Sequence, residues 1–158
     1  FRRVLFRSFQ ELCLLRSIGG IMITLEQYAG PYLHSPSWTQ EHRDNAVKLL
    51  AACQLLSGLA QDDGVLFRVN PKTLTQISGM HNGGFRPSDC MVGAKLSNHK
   101  TGHAVDWYDP CEDIDDWCLA NLDKLAACGI WLEHPKSTHG WSHWQNLPPA
   151  SGNRVFLP

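Results

Sequence analysis

Apolar residues after Thr39 recur three or four positions apart, which is the spacing of one face of an α-helix. This pattern predicts a helix over residues 39–60 that closes near Gly58 or at residues 62–64. The preceding stretch, residues 22–38, contains one glycine and two prolines. We therefore expect a short helix or arm there, followed by a loop.

Further along the chain, short segments rich in alternating apolar, β-branched and aromatic residues predict strands. These segments are Val65–Val69, Leu74–Met80, His103–Trp107, Ile130–Glu133 and Ser142–Gln145. The first two flank an Asn-Pro-Lys sequence and should form a hairpin.

The remaining segments complete the predicted architecture. A second helix should begin at Asp113 or Asp115 and end at Gly129, because an acidic cap precedes an apolar pattern that a glycine closes. Residues 81–98 are rich in Gly, Pro, Asn and Ser and should form a long loop, a type of segment that often carries function. The tail, residues 147–158, should wrap the surface. These elements predict an α+β fold, with helices packed on a small, mostly antiparallel sheet.

Length and charge narrow the class of protein. The 158 residues suit one domain, and 14 Lys and Arg against 15 Asp and Glu give a net charge of −1. Near-neutral charge argues against a strongly basic nucleic-acid-binding protein. No apolar run approaches the roughly 18 residues that a membrane span needs, so we expect a soluble protein, most simply a monomer.

The first 21 residues look unlike selected protein. Residues 1–8 read FRRVLFRS, which can be the translation of a common sequencing-adaptor end. The codons of Gly19 and Gly20 can form a ribosome-binding sequence just before a start codon at Met22. We therefore expect a non-native leader over residues 1–21 and a single domain over residues 22–158. A signal peptide is the weaker alternative, because Arg16 interrupts the apolar run and no A-x-A-like cleavage site follows.

Candidate chemistry concentrates around residues 97–106. Strand alternation places Asp106 on the face opposite His103, so Asp106 can meet His99 from the preceding loop. An imidazole and a carboxylate are two of the three protein ligands that a catalytic zinc requires, and His143 on another predicted strand can supply the third. Gln145 shares the face of His143 and could contact a substrate or make a hydrogen bond on the sheet.

The same window carries a family resemblance. Ser97, His99, Gly102, Ala104 and Asp106 complete the pattern S-x-H-x-x-G-x-A-x-D, which resembles the signature of the zinc D-Ala-D-Ala peptidases. This family, metallopeptidase family fifteen, includes VanX-like dipeptidases and VanY-like carboxypeptidases. It also includes phage L-Ala-D-Glu endopeptidases. Residues 78–87 resemble the family's SG(Y/F)R element, and His143 followed by an aromatic residue resembles its last ligand.

The resemblance implies a fold, a cofactor and roles. It implies the D-Ala-D-Ala peptidase (hedgehog-like) fold and one zinc ion held by His99, Asp106 and His143. It makes Arg86 the cation that steadies the substrate carbonyl or carboxylate, and it places Ser97 beside the first ligand, where it could help to bind substrate. The implied substrates are peptidoglycan stem peptides. The sequence as a whole looks most like the small phage-encoded members of the family. Such a protein would stay in the host cytoplasm until lysis or be part of the virion.

One position departs from the family pattern. Many members carry Glu three residues before the last His as general base, and here that position is Gly140. Glu133, near the end of a predicted strand, is the preferred replacement, and His139 is the alternative. Two other functions stay open: a non-catalytic, zinc-stabilised cell-wall-binding or virion module of the same fold, and a structural domain without metal.

Overall fold

A computed structural model of the chain describes residues 23–158. The expected leader, residues 1–21, and the expected start at Met22 lie outside the described residues. The helices are α1 (Leu25–Ala29), α2 (Gln40–Asp62), α3 (Asp113–Ala120) and α4 (Leu122–Ala127), and the strands are β1 (Ala104–Tyr108), β2 (Trp131–Glu133), β3 (Trp141–Gln145) and β4 (Val155–Phe156). Short 3-10 turns occupy Gly30–Tyr32, Asn98–Thr101 and Pro135–Ser137.

Helix α2 confirms the clearest sequence pattern. It begins after Thr39, which forms a capping box with His42, and its C-cap is Asp63. Its apolar face is buried, with Leu49 and Leu56 fully inaccessible to solvent. The Asp63 carboxylate then accepts hydrogen bonds from the Trp117 indole of α3 and the Lys124 amine of α4. The end of the long helix is thereby tied to the two short ones.

The four strands form one sheet in the order β1-β3-β2-β4. Strand β3 is antiparallel to β1 and to β2, whereas β2 and β4 are parallel. The α+β prediction is confirmed, but the expected mostly antiparallel sheet is corrected to a mixed one. The physical reason is the tail, which adds a strand beside β2 in the same direction instead of only wrapping the surface.

Two further expectations are corrected. The predicted hairpin of residues 65–80 contains only isolated bridges, one of them between Asn70 and Thr75. The Asn70 side chain makes the bonds that a ladder would otherwise make, donating to the carbonyls of Ile77 and Gly79 and accepting from the Lys72 amide. The predicted helix of residues 113–129 is broken in two at Asn121, a residue whose φ is −133°.

The sheet has two faces of different character. Val105, Leu132 and Trp144 lie on one face and are fully buried in the hydrophobic core with residues of α2, α3 and α4. Side chains alternate along a strand, so their neighbours Asp106, Glu133 and His143 lie on the opposite face. We call these the core face and the site face.

Candidate metal centre

The two strands at the centre of the site bring a carboxylate and an imidazole together by register. Asp106 of β1 lies directly opposite His143 of β3. His99 comes from the 3-10 turn just before β1, where the Ser97 hydroxyl accepts a hydrogen bond from the His99 amide at 3.4 Å. Gly102 closes this turn with φ +80°, a left-handed conformation that favours glycine.

The three side chains converge on one point. The Oδ1 atom of Asp106 lies 2.7 Å from His143 Nδ1 and 3.2 Å from His99 Nε2, and the two ring nitrogens are 3.3 Å apart. Only 1% of His99, 7% of Asp106 and 8% of His143 is exposed. Within residues 23–158, this is the group of three or more His, Cys, Asp or Glu side chains whose donor atoms converge closely enough to hold a metal ion.

The outer partners of the two imidazoles decide where their hydrogens lie. His99 Nδ1 is 2.7 Å from the Gly84 carbonyl, which can only accept, so this nitrogen carries the hydrogen and Nε2 faces the centre with a lone pair. His143 Nε2 is 3.4 Å from Gln145 Oε1, an oxygen fixed by a hydrogen bond from Asn98 at 2.9 Å. His143 therefore faces the centre with the lone pair of Nδ1.

Three lone pairs that face one another at these distances repel unless a cation or a proton lies between them. Nitrogen and carboxylate oxygen donors of this kind suit a divalent transition metal. Hydrogen bonds that orient metal-bound histidines from behind are typical of such centres. The residues present therefore fit a metal ion bound by His99, Asp106 and His143.

The electrostatics of the three groups are coupled. Burial acts to raise the pKa of Asp106, but the adjacent His99 and His143 outweigh it, so that the pKa lies well below its usual range. Burial lowers the pKa of His99 against the attraction of Asp106. Burial also acts to lower the pKa of His143, yet the hydrogen bond that a protonated Nδ1 would donate to Asp106 and the charges of Asp106 and Glu133 raise it. Asp106 is thus held ionised at the centre.

Arg86 lies behind the carboxylate. Its Nη2 atom donates to Asp106 Oδ2 at 2.9 Å, its Nε atom donates to the Asn82 carbonyl at 2.5 Å, and it is 8% exposed. The backbone of Gly93 lies close to Nη1, since a Cβ at that position would stand 2.6 Å from it. This buried ion pair occupies one oxygen of Asp106 and leaves Oδ1 for the centre.

The glycine-rich loop before Arg86 supports the centre through its backbone. The Gly83 carbonyl accepts from the Asp106 amide at 2.7 Å, and the Ser78 amide donates to the Asp106 carbonyl at 2.8 Å. A Cβ on Gly84 would collide with the backbone carbonyl of Tyr28, so the approach that brings the Gly84 carbonyl to His99 requires glycine.

The two candidate bases are in different surroundings. The β2–β3 register pairs Trp131 with Gln145 and Leu132 with Trp144, so its continuation places Glu133 beside His143. Glu133 is half-buried, and this burial raises its pKa. The charge of Asp106 raises the pKa further, whereas those of His143 and Arg86 lower it. The side chain of His139, by contrast, is 77% exposed, and its Nδ1 lies 3.6 Å from Glu112 Oε1. The structure brings Glu133, and not His139, to the centre.

Several partners of the centre carry no sequence signal. The Gly84 carbonyl and the Asn98 amide were not predicted, because a backbone carbonyl has no identity in the sequence and asparagine is common in loops. Of the two interpretations of Gln145, the structure supports the hydrogen bond on the sheet. The position of Gln145 two residues after His143, on the same strand face, is the feature of the sequence that indicates this hydrogen bond.

Comparison with protein-family models, with curated proteins and with solved structures returns no match. Among the described residues, none of the helices is long and apolar enough to cross a membrane.

Proposed function

We propose that this chain is a zinc-dependent peptidase that hydrolyses peptide bonds in bacterial peptidoglycan stem peptides, as a D-Ala-D-Ala carboxypeptidase or an L-Ala-D-Glu endopeptidase. One observation carries the proposal: the lone pairs of His99, Asp106 and His143 converge in a buried site, and these are the three residues that the family resemblance implies as ligands. The convergence agrees with a zinc site of three protein ligands, the number typical of catalytic zinc.

Zinc is the metal that the family resemblance implies, and its ligand preferences suit this donor set. Two imidazole nitrogens and one carboxylate oxygen are common ligands of catalytic zinc, whereas magnesium and calcium prefer oxygen alone. When bound, zinc supplies Lewis acidity that polarises a carbonyl and lowers the pKa of a water ligand towards 7.

Glu133 is suited to move the proton. Its carboxylate lies in the row that contains Asp106 and His143, and burial raises its pKa towards the range in which a general base works best. In the proposed reaction, Glu133 accepts a proton from the attacking water and passes it to the leaving amine. The exposed His139 has no such position.

Arg86 acts on the ligand in this proposal. Its ion pair with Asp106 Oδ2 holds the carboxylate in place and directs Oδ1 to the metal. Direct contact between Arg86 and substrate, which the family resemblance implies, stays a prediction. The same is true of substrate binding by Ser97, whose hydroxyl bonds the His99 backbone here.

The test is the product spectrum of purified peptidoglycan incubated with zinc-loaded protein. Mass spectrometry should show either loss of terminal D-Ala or cleavage between L-Ala and D-Glu, and the identity of the product assigns the type. His99→Ala should abolish turnover. His103→Ala is the matched control, because His103 bonds Asn146 at 2.8 Å, away from the centre. Absence of any cleaved product with the zinc-loaded parent would refute the proposal.

A non-catalytic, zinc-stabilised cell-wall or virion module is the second candidate. It is favoured by Gly140, which stands where many family members carry the catalytic Glu and has φ +88° in a turn. This candidate predicts stoichiometric zinc and retention on peptidoglycan without any cleaved product. The same incubation therefore separates the two functions.

A further inference from the structure

Strand β4 and the residue just before it present two side chains to the site face. Val155 lies opposite Leu132 and packs against the core, so Arg154 and Phe156 point to the other face. The Phe156 ring confirms this arrangement, because its centroid lies 6.3 Å from that of His143.

The residues beside the centre on β2 and in the β4 segment are more exposed than the ligands themselves. Asp106 and His143 are buried, whereas Trp131, Glu133, Arg154 and Phe156 on β2 and in the β4 segment are all half-exposed. This side therefore offers a peptide one route to the metal site, over β2 and β4.

Arg154 is held in place without a charged partner. Its Cζ atom lies 4.2 Å from the centroid of the Trp131 ring, and its Nη1 atom donates to the Ile130 carbonyl at 2.8 Å. No carboxylate among residues 23–158 pairs with it, whereas Arg68 pairs with Asp113 and Arg86 with Asp106. A guanidinium fixed by stacking and by one hydrogen bond keeps further N–H groups to offer, in the geometry that binds a carboxylate.

We propose that Arg154 binds a carboxylate of the peptide, on a residue about three positions from the bond that is cleaved. This inference rests on the proposed function and extends it to substrate recognition. Arg154 lies two strands from β3 and two residues from the row of His143, so strand spacings of about 4.8 Å and rises of about 3.3 Å separate the two Cα atoms by roughly 12 Å. An extended peptide spans this distance in about three to four residues.

Stem peptides carry an acidic group at such a distance. In a peptide that ends in D-Glu, a diamino acid, D-Ala and D-Ala, the α-carboxylate of γ-linked D-Glu belongs to the third residue before the D-Ala–D-Ala bond. Arg86 is occupied by Asp106, whereas Arg154, within the described part of the chain, has no carboxylate partner and remains available for this group.

The binding test uses two ligands that the proposed peptidase cannot cleave. One is N-acetyl-γ-D-Glu-L-Lys-D-Ala, and the other is the same peptide with the α-carboxylate of D-Glu converted to an amide. Calorimetric titration of the zinc-loaded full chain should show about tenfold tighter binding of the acid, the contribution expected of one charge-assisted pair. Arg154→Gln should bind both peptides equally. Arg43→Gln, on the exposed surface of α2, should keep the preference of the parent.

Further measurements distinguish loss of binding from loss of folding. Zinc content and the midpoint of urea unfolding establish that Arg154→Gln is folded, and Arg154→Lys, which keeps the charge but loses the forked geometry, should retain only part of the preference. The NMR signal of the Arg154 Nε–H group should shift with the acid peptide and stay in place with the amide. An acid preference unchanged in Arg154→Gln, or a parent without preference, would overturn the inference.

The outcome is separable from that of the proposed function. Adding one D-Ala to the C-terminus of both peptides turns them into substrates. Turnover of both at equal rates, without an acid preference in binding, would leave the peptidase proposal standing and refute the role of Arg154. Suppose instead that Arg154→Gln loses the acid preference and that neither these substrates nor peptidoglycan is turned over. That result would support the role of Arg154 and refute the peptidase proposal.

Discussion

The two faces of the sheet differ although the same strands build them. Across the sheet, one row of residues consists of Val105, Trp144, Leu132 and Val155, and the adjacent row consists of Asp106, His143, Glu133 and Phe156. The first row packs in the hydrophobic core, and the second surrounds the candidate metal centre. A shift of one residue along each strand separates the groups that stabilise the fold from the groups that carry its chemistry.

The comparison also shows how each face tolerates burial. On the core face, removal of apolar surface from water stabilises the fold directly. On the site face, burial of Asp106, His99 and Arg86 is unfavourable unless every charge and hydrogen-bonding group has a partner. Arg86, Gly84 and Gln145 supply these partners. The site face thus depends on specific bonds, and the core face on packing.

The largest effect on stability should come from Trp144, which is fully buried on the core face. Trp144→Ala should lower the free energy of unfolding by about 3–5 kcal/mol, because it removes a large apolar side chain and leaves a cavity. Trp141→Ala, on the same strand but on the site face and only half-buried, should cost less than half as much. Urea unfolding of both variants measures the contrast, and equal losses would show that the two faces do not differ in this way.

Glu133 tests the site face by activity. Glu133→Gln should reduce the rate of peptide hydrolysis by about 10²–10⁴ while zinc content and stability stay unchanged, because the amide keeps the shape and loses the proton acceptor. His139→Ala and Glu112→Gln are matched controls from an exposed pair and should be close to the parent. Rates compared at equal zinc occupancy decide the point: full activity in Glu133→Gln would exclude this residue as the base.

Gln145 tests whether outer hydrogen bonds orient the centre. Gln145→Leu removes the acceptor for His143 Nε2–H and for Asn98, and zinc affinity should fall about 10–100-fold. Gln145→Glu keeps an acceptor at the same place and should recover most of the affinity. Competition with a chelator measures both. Parent-like affinity in the Leu variant would mean that this bond does not orient His143.

The last effect depends on pH and comes from Asp115, a carboxylate that is buried near Ser142. Burial raises the pKa of Asp115 to about 7, Ser142 opposes the rise, and Asp109, Glu112 and Asp116 add to it. The unfolded value is about 4, so the folded chain binds the proton more tightly. The stabilisation is complete below pH 4 and is lost as pH rises through 7, with a slope of at most about 1.4 kcal/mol per pH unit.

Asp115→Asn should therefore remove most of the decline in the free energy of unfolding between pH 4 and pH 8. The comparison is made by urea unfolding at several pH values. Asp113→Asn, whose carboxylate pairs with Arg68 at the surface, serves as control. A parent and an Asp115→Asn variant with parallel pH profiles would contradict the assignment of the slope to Asp115.

The sequence predicts the centre well because its geometry is local. Strand alternation is enough to put Asp106 and His103 on opposite faces, and the same parity puts His143 beside Asp106 once β1 and β3 pair. The helix α2 is equally legible, because its buried positions follow the helical period over six turns.

What the sequence does not predict depends on contacts between distant segments. The pairing of β4 with β2 joins residues more than 20 positions apart and leaves no local pattern in a two-residue strand. In place of the predicted hairpin, the Asn70 side chain makes hydrogen bonds to the backbone. Strand propensities do not take such side-chain bonds into account. The partnership of Arg86 with Asp106 is hidden for the same reason, since an arginine in a loop can pair with any nearby carboxylate.

Zinc binding by four proteins tests the central claim most directly: that the site face of the sheet holds one metal ion between His99, Asp106 and His143. The parent and the variants His99→Ala, His143→Ala and His103→Ala are titrated with zinc, and the bound metal is counted by mass spectrometry. The account predicts one ion per chain in the parent and in His103→Ala, and strongly reduced affinity in the other two. A parent that binds no zinc, or a His103→Ala variant that loses it while His99→Ala keeps it, would contradict the account.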